Sequence, residues 1–138
     1  MPTLFTRIIN REIPGRFVYE DEKVVAFLTI APIRPGHTLV VPRDEVDHWI
    51  DLPSALASHV THVAQHVARA IQAAFPCEKV GLMVAGLEVP HTHLHLVPID
   101  SIGDMDFGRQ DTKATAESLD AAAEKIRTAL AAQGPFRG

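Results

Sequence analysis

Apolar and polar positions alternate along RFVYE (16–20), which predicts a strand, and VVAFLTI (24–30) predicts a second after a turn at Asp21-Glu22. Pro32, Pro35 and Gly36 then mark a loop, and HTLVVP (37–42) reads as a third strand. Over residues 53–75 the period changes. Leu56, Val60, Val63, Val67, Ile71 and Ala74 recur at helical spacing, predicting an amphipathic helix that Pro76 stops. KVGLMVAG (79–86) and HTHLHLVPI (91–99) read as two further strands joined through Leu87-Glu88-Val89-Pro90. A polar stretch with Gly103 and Gly108 follows. Residues 116–132 then place Leu119, Ala122, Ala123, Ile126 and Leu130 on one helical stripe, closed by Gly134-Pro135. The strands do not alternate strictly with helices, and several lie close enough for hairpins. The expected fold class is α+β with a largely antiparallel sheet. No internal repeat or low-complexity tract interrupts the chain, so residues 1–138 are expected to form one domain, with a core over 3–99 and a helical extension over 100–138.

The stretch HTHLHLVP (91–98) adds chemistry to this pattern. On a strand, His91, His93 and His95 share one face, and Thr92, Leu94 and Leu96 share the other. The leucine face is expected to pack on the helix at 53–75, leaving the histidines to line a cleft or face solvent. A purely structural role fits poorly, because buried polar groups cost free energy unless they are satisfied. A metal site is one functional reading. At a rise of about 3.3 Å per residue the outer histidines stand roughly 13 Å apart, and zinc–nitrogen bonds are about 2.0–2.1 Å. At most two of the row then fit one ion, with His37 or Glu88 completing the set. The other reading is an anion site with a nucleophile. A neutral imidazole nitrogen of His93 attacks phosphorus, its other nitrogen is held by a backbone carbonyl, and flanking histidines donate hydrogen bonds to phosphoryl oxygens. A phosphoryl group spans only a few ångströms, so neighbouring histidines reach it without converging on a point.

Composition narrows the partners. The chain is 46% hydrophobic and 22% charged, ordinary values for a globular protein, and its net charge of −4 argues against a nucleic acid or an anionic membrane as the main partner. Its longest apolar runs, such as VVAF and LVV, are far short of a membrane span. MPTLFTRIINREIPG lacks the long apolar run of a signal peptide, so a cytoplasmic location is expected. Cys77 is the only cysteine, which rules out an intrachain disulfide and a cysteine-rich zinc site.

PHTHLHLVP fits the His-x-His-x-His-x-x signature of the histidine triad proteins, and the chain resembles that family over about Thr3–Ile99. FTRIINREIPGRFVYEDEKVVAFLTIAPIRPGHTLVVPRD looks like the family's N-terminal half, with EIP, YED, AF, PGHTLV and VPR in order. The resemblance implies a five-stranded antiparallel sheet and a homodimer whose sheets run on across the interface. It implies a purine mononucleotide pocket and hydrolysis or transfer at the α-phosphorus of a nucleoside monophosphate conjugate, of phosphoramidate or dinucleotide type. By position, His93 would be the nucleophile that forms a nucleotidyl-histidine, His95 would bind phosphate, His91 would order the site and His37 would support the triad. Phe5, Ile8, Ile13, Phe27, Leu28 and Ile30 match positions that wall base and sugar.

The pattern breaks at three places. An aspartate that holds the ribose hydroxyls in the family is Thr29 here, in TIAP. The strand before the triad lacks the family's asparagine. The loop that usually reads Gly-Gln-Ser/Thr-Val is Gly86-Leu87-Glu88-Val89. Glu88 either points to solvent, pairs with a histidine or acts as an acid toward the leaving group. Some relatives carry a structural zinc on an N-terminal Cys-x-x-Cys; Thr3 and Thr6 stand at those positions, so no zinc or other cofactor is expected.

His59, His62 and His66 lie beside the core stripe of the long helix and read as its solvated or dimer-facing flank. The leading expectation is thus a histidine triad hydrolase or transferase. Its alternatives are a non-catalytic nucleotide-binding protein, suggested by Thr29, Leu87 and Glu88, or a metal site on the histidine row.

Overall fold

The computed structural model describes residues 2–137. Five strands, β1 (Phe17–Glu20), β2 (Val24–Leu28), β3 (Thr38–Pro42), β4 (Lys79–Met83) and β5 (Leu94–Ile99), form one sheet in the order β1-β2-β3-β5-β4. Every neighbouring pair is antiparallel. The helices are α1 (Leu4–Ile9), α2 (Ser54–Ala74) and α3 (Ala116–Gln133). This is the α+β architecture expected from the hydrophobic pattern. No helix of the described residues is long and apolar enough to cross a membrane.

Strands β2 and β3 are buried along their whole length because side chains pack on both of their faces. Val24, Ala26, Leu28, Val40, Leu94 and Leu96 meet Val60, Val63, Val67 and Ile71 of α2 and Ile126 of α3. On the opposite face Val25, Phe27, Leu39 and Val41 meet Phe5 and Ile9 of α1. The rest of this face carries His93 and His95, and the candidate site opens there.

Helix α1 was not foreseen, since six residues are too few to show a period. Its start is set by Thr3, whose extended backbone and side-chain oxygen cap the amide of Thr6 at 3.1 Å. Short 3-10 turns at Trp49–Asp51, Ile102–Met105 and Phe107–Arg109 were also not foreseen.

Two boundaries differ from expectation in ways that shape the site. Strand β2 stops at Leu28, so Thr29 and Ile30 lie beyond it. Strand β5 begins at Leu94, so of the histidine row only His95 lies in the sheet ladder. The cause is the segment before it. Both the amide and the hydroxyl of Thr92 donate to Val46 O, each at 2.7 Å, and the His91 amide turns back to Val89 O at 2.7 Å. The backbone is therefore tied to the 43–48 loop before it joins the sheet.

Gly36 fixes the approach to β3. Its φ of +100° suits glycine, and a Cβ there would lie 2.8 Å from the Phe75 ring. This turn delivers His37 fully buried at the start of the strand.

Candidate active site on the half-covered face of the sheet

Four aromatic rings stand in a row across this face. Phe5 meets His93, His93 meets His95, and His95 meets Phe107, each pair edge-on with centroids 4.8 Å apart. His93 and His95 are only 5% and 8% exposed, so each keeps a narrow opening to solvent.

The hydrogen bonds determine which nitrogen of each ring carries a proton. The Ile33 amide donates to His37 Nδ1 at 3.0 Å, which makes that nitrogen an acceptor and leaves the proton on Nε2. His37 Nε2 then donates to His95 Nδ1 at 2.9 Å. His95 must carry its own proton on Nε2. His93 is bonded the opposite way: its Nδ1 donates to the carbonyl of His91 at 2.7 Å, so Nε2 keeps its lone pair. Neighbouring rings thus offer opposite functions, a lone pair on His93 and an N–H on His95.

Burial keeps these rings neutral. The His37 pKa falls from 6.5 to about 3, chiefly through burial, with His95 and His93 adding repulsion. His95 falls to about 4 for the same first reason, with His93 as the second. His93 is also lowered by burial. At neutral pH the lone pair and the donor are both in place.

A cavity of about 130 Å³ opens in front of the pair. It is lined by His93 and His95, by Gly86, Leu87 and Glu88 of the loop before the triad, and by Phe107 and Gln110. Glu88 is an exposed residue at this cavity, near enough for its charge to act on His93. Among the described residues, no lysine or arginine lines the cavity.

Of the residues expected to wall base and sugar, Phe5, Ile8 and Phe27 gather in the apolar cluster beside His93, and Val89 of the loop before the triad packs against it. Phe17, not singled out from the sequence, joins them and packs edge-on against Phe27 at 5.6 Å. Ile13 is half-buried just after α1. Leu28 corrects the expectation. It lies on the same strand face as Val24 and Ala26 and packs into the helix-side core, so it does not wall this site. Ile30, past the strand end, is 75% exposed. Thr29 is half-buried, and its oxygen accepts the Ala31 amide at 3.1 Å, which leaves one hydroxyl proton to offer.

The sequence offered no signal for Phe107 and Gln110. They arrive through contacts between the segment after β5 and the β2–β3 loop. Arg34 reaches Asp100 at 3.1 Å and Asp104 at 2.9 Å, while Gln110 donates to Ala31 O at 2.9 Å.

His91 does not line the cavity. It is fully buried, donates from Nε2 to Pro42 O at 2.7 Å, and accepts at Nδ1 from the Thr3 hydroxyl at 2.6 Å. This bears on the zinc of some relatives. The matching donors here are two hydroxyls, and the one ring lone pair is already bonded to Thr3. Zinc favours thiolates and free imidazole nitrogens, so this donor set does not fit it. Nor do the described residues hold a group of three or more His, Cys, Asp or Glu placed to share an ion.

The helix histidines lie on the other side of the sheet. His59 bonds Asp21 at 2.7 Å, and His66 packs edge-on against Tyr19 and Phe136. They form no part of the site.

The opposed imidazole pair stands at an interior strand of an antiparallel sheet, an arrangement with relatives of known family. The HIT domain family matches residues 10–102, and the chain belongs to the histidine triad family. Members are generally nucleotide-binding hydrolases or transferases. The chain is 38% identical to protein Hit of Bacillus subtilis over 108 residues, 73% of each chain. A hypothetical histidine triad nucleotide-binding protein of Sulfolobus tokodaii superposes with a TM-score of 0.81 at 28% identity, covering 93% of this chain and 91% of that one. A zinc-bound histidine triad family protein of Mycobacterium smegmatis also gives 0.81, at 26% identity and 94% coverage of both chains.

Proposed function

We propose that this protein hydrolyses a purine nucleoside monophosphate conjugate at its α-phosphorus through a covalent intermediate on His93. The observation that carries the proposal is the opposed protonation of the two neighbouring rings. The lone pair of His93 Nε2 attacks phosphorus, and the bond from phosphorus to the leaving group breaks. An amine leaving group takes a proton from solvent and departs. Positive charge appearing on the His93 ring is stabilised by the Nδ1–H bond to His91 O. His95 Nε2–H donates to a phosphoryl oxygen as charge develops there. Water then attacks the same phosphorus, releasing the nucleotide and restoring His93. Phe5, Ile8, Phe17, Phe27 and Val89 supply the apolar surface for base and sugar.

A second reading is favoured by Glu88 and by the lack of a cation in the cavity wall: nucleotide binding without turnover. We take the active form to be a cytoplasmic homodimer. Strand β4 is a sheet edge with Leu82 half-exposed, and a second copy pairing there would extend the sheet.

Release of AMP from an adenosine phosphoramidate, with chelator present, separates the readings. Turnover lost in His93→Ala supports hydrolysis. No turnover, with AMP still raising the melting temperature, supports binding alone.

A further inference from the structure

The residues before and at the start of α1 reach into the histidine pair by a route that the scheme above does not use. The Thr3 hydroxyl donates to His91 Nδ1 at 2.6 Å, and His91 Nε2–H donates to Pro42 O at 2.7 Å. Both nitrogens of this fully buried ring are thus committed, and it has no alternative orientation that keeps both bonds. The carbonyl of the same residue receives His93 Nδ1–H at 2.7 Å. Thr3 is itself held from the far side, because its amide donates to Glu45 Oε1 at 2.6 Å. It also caps α1, which carries the Phe5 ring against both His91 and His93. Bonds from the Thr6 side chain and the Thr3 amide hold the Glu45 carboxyl below the usual carboxylate range, so it stays an acceptor.

We propose that Thr3, anchored by Glu45, is a positioning residue that fixes the ring of His91 and, through its carbonyl, the reactive tautomer of His93. A hydrogen-bonded joint of two hydroxyls, a carboxylate and an imidazole ties α1 to the triad without a metal. An ion at this point would need the His91 Nδ1 lone pair, which the Thr3 hydroxyl occupies. The effect on turnover rests on the hydrolase reading; the effect on the rings does not.

The test uses the full-length protein with Thr3→Val, which keeps the shape and removes the hydroxyl, and Thr3→Ser, which keeps the hydroxyl. Glu45→Gln, at an exposed position, is the milder third variant. Nitrogen-15 NMR of the imidazoles reads the tautomers with no substrate present. The expected wild-type result is His91 protonated at Nε2 and His93 at Nδ1. Thr3→Val shifts both toward mixtures, Glu45→Gln does so less, and Thr3→Ser restores the wild-type signals. Turnover of the adenosine phosphoramidate falls about ten- to a hundredfold in kcat for Thr3→Val, with KM changed less than about threefold, as expected for misplacement of a reacting group. Metal analysis of untagged protein gives well under one zinc per chain. Unchanged tautomers in both Thr3→Val and Glu45→Gln overturn the proposal, as does stoichiometric zinc. Shifted tautomers in a protein that turns over no phosphoramidate uphold it and point instead to failure of the hydrolase reading.

Discussion

His37 Nε2 lies 2.9 Å from His95 Nδ1, and this contact decides which nitrogen of His95 faces the cavity with a proton. The decision originates in the backbone: the Ile33 amide holds His37 Nδ1 as an acceptor. The loop that leads into the neighbouring strand β3 therefore sets the triad's chemistry.

Replacing His37 by leucine removes the donor and leaves both nitrogens of His95 free to exchange the proton. Turnover is expected to fall about ten- to a hundredfold in kcat, with a small change in KM, because orientation and not substrate affinity is lost. Steady-state kinetics with the adenosine phosphoramidate check this. A KM effect with kcat unchanged would remove His37 from the account.

The buried imidazoles also predict how stability depends on pH. Unfolded histidine titrates near 6.5, whereas His37 and His95 titrate at about 3 and about 4 in the folded state. Their folded pKa values are depressed, so the unfolded chain binds more protons below 6.5. Their contribution is complete above pH 6.5 and is lost as pH falls from there, through about 4 for His95 and about 3 for His37. Each histidine contributes a slope of up to about 1.4 kcal/mol per pH unit within that window. Urea midpoints measured from pH 7.5 down to 4.5 should fall, and His37→Leu should flatten the curve. A midpoint independent of pH would contradict the neutral burial.

Thr29 offers one hydroxyl proton where a carboxylate would accept two bonds from a ribose. Conjugates of AMP and of its 2′-deoxy analogue should therefore differ by less than about tenfold in kcat/KM, since a bond to a charged group is worth about 1.5–3 kcal/mol and is absent here. Thr29→Asp should widen the ratio in favour of the ribonucleotide. A large preference for ribose in the wild type would place its recognition on another residue.

Glu88 puts a carboxylate at the cavity without a cation to offset it. Glu88→Gln should tighten AMP binding about three- to tenfold, an effect that shrinks as salt is added because the site is open to solvent. Calorimetric titration at two ionic strengths reads both. Weaker binding in the variant would mean that the carboxylate contacts the ligand favourably.

The strands and the two long helices were legible because their periods are local: alternation in RFVYE, and helical spacing from Leu56 to Ile71. The start of β5 was not, because Thr92 is drawn to Val46 by tertiary hydrogen bonds that leave no trace in the hydrophobic pattern. The family resemblance points Leu28 to the pocket. Alternation alone, with Val24 and Ala26 on the same face, points it to the helices, where it lies. The resemblance implies that His37 supports the triad, and its Nε2 lies against His95 Nδ1. The residues that complete the cavity did not announce themselves. Phe107 and Gln110 sit in a polar stretch without a period, and the bonds of Arg34 and Ala31 to that stretch bring them over His95.

The most direct test of the central claim is intact-mass analysis of protein quenched with acid-free denaturant during turnover of the adenosine phosphoramidate. The account predicts an adduct of one adenylyl group, mapped to His93 and absent in His93→Ala. Turnover that proceeds with no adduct, and that survives His93→Ala, would contradict it.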